Sequence, residues 1–305
     1  MSILALGVLV YNQASFVDEL LCSIKDQDSN DFRVFVLDNS STDGSLEKLR
    51  DSIDKYALKE RVNLFSNLSN TGSAQGLKQL LQLSECDYLA IAHGDDVLNP
   101  NYISECRRGL SAFPQAVALN VTLDGFSVNN GYRQRVRIYR SLWTKFDWIN
   151  NLLVTGLNPG LMPGSVLKRE FVLSNDLLEF SELVNGVEDS LLWMRIVRRG
   201  GKIRSISKPI YEYRLHEKQF SYEDGRNSYF FGLSRRLNIL ESKNLLHRIL
   251  SKSEISYELK RFGQTSEYLL GLSRQFRPNF AYAPIRLFNI LIRRMVTAFR
   301  LNIYT

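Results

Sequence analysis

Ala90-Ile91-Ala92-His93-Gly94-Asp95-Asp96-Val97-Leu98-Asn99-Pro100 is an aliphatic run that leads straight into two adjacent carboxylates and then a chain stop. It predicts a buried strand over Asp87 to Ala92, a turn that carries Asp95 and Asp96, and an end at Asn99-Pro100. In an open parallel sheet the ligand crevice lies beyond the carboxyl ends of the strands, so acids placed there face whatever binds. Two neighbouring aspartates repel each other and are easiest to keep ionised beside a cation. A hard divalent metal takes a carboxylate or two and fills its other positions with water and phosphate oxygens. The pair equally suits the cap of a helix starting near Asn99 or Pro100. On this stretch alone both readings stand.

The flanking sequence has the pattern of an α/β sheet. Ile3 to Val10 is a near-continuous aliphatic run, as expected of a strand covered on both faces, and Phe16, Leu20, Leu21 and Ile24 follow at helical spacing. Phe32 to Leu37 is the next strand. It ends in Asp38-Asn39-Ser40-Ser41-Thr42-Asp43-Gly44-Ser45, a polar turn that offers Ser45 as N-cap of a helix over Leu46 to Tyr56. Val62 to Phe65 is a third strand, and Asn70-Thr71-Gly72 opens a helix over Ser73 to Leu83. Strands alternating with helices at this spacing predict a right-handed, mostly parallel sheet of the nucleotide-binding sort.

Past Pro100 the alternation weakens. A helix near Tyr102 to Phe113, a strand near Ala116 to Thr122 and a basic, aromatic stretch over Asp124 to Trp148 precede the turn-rich loop Asn158 to Gly164 and a short strand at Ser165 to Lys168. Gly186 to Gly201 reads as a helix with Glu188 and Asp189 in its first turn, arginines in its last and glycine to end it. Two short strands, Lys202 to Ile206 and Ile210 to Arg214, lead to His216.

Composition narrows the class. With 305 residues, 44% apolar and 23% charged, the chain has the material for a large domain plus an extension and is not a disordered protein. Cys22, Cys86 and Cys106 lack metal-ligand spacing and suit structural thiols in a reducing compartment. No run approaches the roughly 18 apolar residues of a membrane span, and Met1 to Val10 lacks the basic start and cleavage site of a signal peptide.

Six ordered motifs carry a resemblance: Val10-Tyr11-Asn12, Asp38 to Ser45, Asn70-Thr71-Gly72, Gly94-Asp95-Asp96, Glu188-Asp189, and Tyr213-Arg214-x-His216. Together they resemble the family 2 glycosyltransferases with the GT-A fold, of the bacterial surface-polysaccharide type, over residues 1 to 221. The resemblance implies a nucleotide-sugar donor, UDP-linked by preference, lying across the strand ends. Val10, Tyr11, Asn12, Asp38, Asn70 and Gly72 would take part in binding the donor. Asp38 would meet the base, with Tyr11 near it, and Asp95 the ribose. Asp96 would bind Mn2+ or Mg2+, with Asp95 and His216 beside it, and Arg214 and Gln219 would donate to phosphate oxygens. Asp189, with Glu188 as runner-up, would be the base for an inverting single displacement. Other readings exist for several: a half-buried aromatic for Tyr11, an Asx-turn for Asp38, helix-terminus acids for Glu188 and Asp189, an exposed loop histidine for His216. Two departures stand out. Many relatives carry an acid where this chain has His93, and a basic residue after the Asn-x-Gly segment, where only Lys78 comes close here.

The tail has a different character. From Gly225 to Thr305 there are 14 Lys+Arg against 4 Glu and no Asp, whereas the first 224 residues hold 25 against 28. Arg286, Arg293 and Arg300 recur every seven residues, opposite Phe288, Leu291, Ile292, Met295 and Phe299. That basic amphipathic pattern over 284–304 reads as a helix on an anionic membrane surface, or as one packed on the catalytic domain or a second subunit in a homo-oligomer. No nucleic-acid recognition motif accompanies the charge. The domains expected are therefore 1–224, with a nucleotide-sugar half over 1–100 and an acceptor half over 101–224, and a helical extension over 225–305. With the resemblance, this implies a cytoplasmic enzyme peripheral to the inner face of the cell membrane, extending a glycan or lipid-linked acceptor in O-antigen or capsule synthesis. The rivals are a non-catalytic sugar-binding module of the same fold and a sugar nucleotidyltransferase; the latter needs a glycine-rich basic loop that Tyr11-Asn12-Gln13-Ala14-Ser15 does not supply.

Overall fold

A computed structural model describes residues 3–147, 150, 160–179, 188–217 and 219, with the backbone alone at Glu188 and Ser190. The basic tail and residues 158 and 159 of the Asn158 to Gly164 loop lie outside the described residues.

Nine strands form a single sheet: β1 (Leu4–Val10), β2 (Val34–Asp38), β3 (Val62–Ser66), β4 (Tyr88–His93), β5 (Val97–Leu98), β6 (Ala116–Asn129), β7 (Tyr132–Tyr139), β8 (Val166–Lys168) and β9 (Lys202–Arg214). The helices are α1 (Val17–Lys25), α2 (Ser45–Lys55), α3 (Ser73–Leu83), α4 (Tyr102–Ala112), α5 (Arg169–Ser174) and α6 (Glu188–Arg198). The order is β3-β2-β1-β4-β8-β6-β9-β5, with β7 hairpinned onto β6. β1 to β4 are mutually parallel, as are β6 and β9; β8, β5 and β7 are the antiparallel insertions.

The aliphatic runs are buried because both faces of the sheet are covered. Leu4, Leu6, Val8 and Val10 of β1 pack with Leu20, Leu21 and Ile24 of α1 in one core, while Ala5 joins Leu77, Leu80 and Leu81 of α3 and Trp193 of α6 in the other. This is the period-two split of a central strand.

Several boundaries differ from the sequence reading. Gly44, at φ 87°, is the N-cap of α2, and Ser45 is the first helical residue; its hydroxyl instead serves the backbone N–H of Gln13 at 2.8 Å. The strand expected at Ala116 to Thr122 runs on to Asn129 and pairs with β7, because the aromatic-basic stretch forms an edge hairpin closed by Asn130-Gly131. The two short strands after Gly201 are a single one, bent by register shifts near Pro209.

The detail that matters for function is the curl. β5 leaves β4 after only three residues and pairs antiparallel with the far end of β9, Val97 with Glu212 and Leu98 with Tyr211. The turn between β4 and β5, which carries Asp95 and Asp96, is thereby drawn against the end of β9, which carries Arg214 and leads to His216. The sheet closes over its own carboxyl edge.

Candidate active site

Gly94 lets this turn form. A side chain there would meet Gln13 Oε1 and, at 2.9 Å, Val10 Cγ2, so only glycine lets the backbone pass so close to the end of β1. Asp96 then points inward and is fully buried. Its Oδ2 accepts from the Tyr211 hydroxyl at 2.8 Å and its Oδ1 from the Arg214 backbone N–H at 2.9 Å. The Tyr211 hydroxyl also accepts from the His93 backbone N–H at 3.1 Å. Arg214 is a clamp as well. Its Nε donates to the Asp95 carbonyl at 2.6 Å, its Nη2 pairs with Glu19 of α1, and its guanidinium lies between the rings of Phe16 and Phe126. In this arrangement Arg214 holds the turn rather than reaching into the crevice.

The two carboxylates differ. Burial pushes Asp96 well above the usual carboxylate range, the charge of Asp95 adds to that, and the bonds from Arg214 and Tyr211 only partly offset it. For Asp95 burial also pushes upward, but the His216 hydrogen bond and the two imidazoles outweigh it and hold the group below its ordinary value. His216 Nε2 stands 3.0 Å from Asp95 Oδ2, and its ring packs on Phe16 at 4.6 Å. Burial lowers His93, against the pull of Asp95, which favours its neutral form. One donor atom each of His93, Asp95 and Asp96 lies within 4.8 Å of the others. That trio could hold a divalent cation; the sequence alone points to His216 as the imidazole beside Asp95 and Asp96, and the structure adds His93.

The donor-side motifs meet along the same edge. Val10 sits opposite Asp38 in the β1–β2 register. Asp38 is 2% exposed; its Oδ2 accepts from the Ser41 N–H at 3.1 Å, while its Oδ1 is buried without a partner among the described residues. Tyr11 is 45% exposed at the rim. Asn12, at φ 53°, staples the two turns: its N–H donates to Ser41 Oγ and its Oδ1 accepts from the Thr42 N–H. Asp43 bonds the N–H groups of Ala14 and Ser45, and these contacts outweigh burial in holding it below its usual range.

Asn39, quoted in its motif but assigned no role from sequence, is the hub of this side. Its amide donates to Asn70 Oδ1 at 2.9 Å and the Gly72 carbonyl at 3.3 Å; its Oδ1 accepts from Asn67 and from the N–H and hydroxyl of Thr71. Gly72, at φ 81°, caps α3. Tyr211, Glu19 and Phe16 were also missed, since each is an ordinary strand or helix residue until the curl brings it to the turn.

On the acceptor side, α6 ends in Gly200 at φ 75°, with Gly201 N–H on the Ile196 carbonyl at 2.9 Å, and turns at once into β9. β9 starts beside the start of β6 and runs parallel to it. Trp193 of α6 donates to the Gly160 carbonyl at 2.9 Å, and Asn120 to the Leu161 carbonyl at 2.6 Å, fixing the loop beside β4. Gln219 is buried, with its backbone N–H on the His216 carbonyl.

Residues 6–169 match the family model described as glycosyl transferase family 2. The chain belongs to that family. Two glycosyltransferases of Haemophilus influenzae described as uncharacterized are similar: one is 25% identical over 70% of this chain, the other 28% over 32%. The chain spans 66% and 38% of their lengths. Among solved structures, S. aureus TarS 1-349 in complex with UDP-GlcNAc superposes with a TM-score of 0.63 at 18% identity, covering 99% of this chain and 92% of that one. The mannosyltransferase PcManGT from Pyrobaculum calidifontis, in complex with GDP-Man and Mn2+, gives 0.58 at 16% identity, covering 97% and 85%. These likenesses show the GT-A glycosyltransferase fold, an α/β fold with a curled sheet.

Proposed function

We propose that this family 2 glycosyltransferase moves a sugar from a nucleotide-sugar donor, UDP-linked by preference, to a glycan or lipid-linked acceptor, with inversion. The observation that carries the reading is the meeting, at one carboxyl edge, of Asp38 with its unpartnered buried oxygen and the Asp95–Asp96 turn. A buried carboxylate oxygen without a donor is costly, and a pyrimidine or purine N–H supplies one. Tyr11 offers a ring at the rim for the base and Asp95 an acceptor for a ribose hydroxyl. Asp96 and Asp95, with His93 and His216 beside them, would hold Mn2+ or Mg2+, which as a Lewis acid would neutralise charge on the departing diphosphate. Asp189 takes the proton of the acceptor hydroxyl as it attacks the anomeric carbon from the face opposite the diphosphate, so no covalent intermediate forms. The basic stretch 284–304 would keep the enzyme at an anionic membrane surface, on its cytoplasmic side, where lipid-linked surface-polysaccharide acceptors lie.

The test is binding of UDP, dTDP, GDP and CMP forms with and without Mn2+, on wild type and Asp96→Ala. Metal-dependent binding of one base class, lost in the variant, is expected. Absence of nucleotide binding, or equal binding by Asp96→Ala, contradicts the assignment. Asp189→Asn should keep donor affinity and lose about 10²–10⁴-fold in transfer, as for loss of a general base; an unchanged rate removes Asp189 from that role.

A further inference from the structure

We propose that His93 is itself a ligand of the cation, and that this imidazole makes the site select Mn2+ and Co2+ over Mg2+. The inference rests on the reading of the Asp95–Asp96 turn as a metal-diphosphate site. Its geometric basis is the trio: one donor atom from each of His93, Asp95 and Asp96, all within 4.8 Å of one another. Donors on opposite sides of one ion stand about 4–5 Å apart, so a single ion reaches all three.

The three donors are not equally committed. Both oxygens of Asp96 already accept bonds, from Tyr211 and from Arg214, and Asp95 Oδ2 is paired with His216. The ring of His93 is half-buried and makes no hydrogen bond among the described residues. One of its ring nitrogens lies with the carboxylates of Asp95 and Asp96 in the trio, with no hydrogen bond to either. His216 is placed differently. Its Nε2 is on Asp95, its Nδ1 is buried without a partner among the described residues, and its ring lies tilted on Phe16, so it orients Asp95 from beside the trio.

His93 is also held in place. It is the last residue of β4, in register with Leu9 of β1, and its N–H is fixed by the same Tyr211 hydroxyl that holds Asp96. One hydroxyl therefore sets the spacing between an imidazole and a carboxylate. The consequence for metal choice is chemical. Mg2+ takes oxygen ligands and parts with water reluctantly, whereas an imidazole nitrogen favours ions later in the first-row series.

The test uses the full-length protein and the metal alone. Pulsed electron paramagnetic resonance of the Mn2+-loaded protein should show the ¹⁴N coupling of a directly bound imidazole, retained in His216→Gln and lost in His93→Asp. Competition between Mn2+ and Mg2+ should show the affinity ratio falling by about tenfold or more in His93→Asp, which restores an all-oxygen set. Bound Mn2+ without nitrogen coupling in the wild type overturns the proposal, and this needs no variant to fold. Coupling that survives in His93→Asp overturns it as well. If wild type binds no Mn2+ at all, the metal-diphosphate reading falls with it, an outcome distinct from Mn2+ bound through oxygen alone.

Discussion

At the scale of single residues, Asp96 decides how the site behaves with pH. Without a cation its folded pKa lies well above the unfolded value, by burial first and by the charge of Asp95 second. The folded state then holds the proton more tightly than the unfolded chain. Stability falls as pH rises from about 4 through the raised folded value, and levels above it. Asp43 and Asp18, whose pKa values are lowered, act in the opposite sense: the stability they give is present above the unfolded value and lost as pH falls through the folded one. Subtracting the pH profile of Asp96→Asn from that of wild type, both metal-free, isolates the Asp96 slope. Denaturant unfolding between roughly pH 4 and 8 should show the wild type losing stability relative to the variant as pH rises; parallel curves would contradict it. Since the cation must displace that proton, metal affinity should also weaken as pH falls.

At the scale of elements, the donor side depends on loops tied to one another rather than on any one of them. Asn39 joins the β2–α2 turn to the β3–α3 loop through both ends of its amide. Asn39→Ala should cost about 0.5–1.5 kcal/mol by urea unfolding, because it removes hydrogen bonds whose other partners are half-buried or exposed and can turn to water. It should also weaken nucleotide binding, and a stability unchanged within error would show that water replaces the amide. The regular elements around these loops were legible in the sequence. Ser73 to Leu83 is a helix with those bounds, and Tyr102 and Ala116 begin their elements where periodicity places them. Loop-borne acids were legible too, since Asp38, Asp95 and Asp96 stand at strand ends. Partners brought in by the curl were not. Tyr211 and Glu19 look like any strand or helix residue, and only the pairing of β5 with β9 takes them to the aspartates. His93 was visible in its motif, but as a departure, because an imidazole cannot be assigned to a trio until the backbone places it there.

At the scale of the whole molecule, charge divides the chain: an acidic first part and a tail with a surplus of +10 beyond Gly225. Full-length protein should co-sediment with anionic vesicles and release as salt rises past about 0.15 M, where the screening length shrinks to about 8 Å. Replacing Arg286, Arg293 and Arg300 by alanine should abolish that sedimentation, and retention by the triple variant would show that another surface binds. No helix among the described residues is long and apolar enough to cross a membrane. The curl of the sheet has a further bearing on how the protein is made. The bonds that hold Asp96 join residues 115 and 118 positions apart, and the later partners are Tyr211 and Arg214. On the ribosome, a chain that has emerged only as far as β5 therefore carries Asp95 and Asp96 without the partners that hold Asp96. Those partners arrive only when β9 has been made and docks, so the geometry of this turn is completed by residues synthesised more than a hundred positions later.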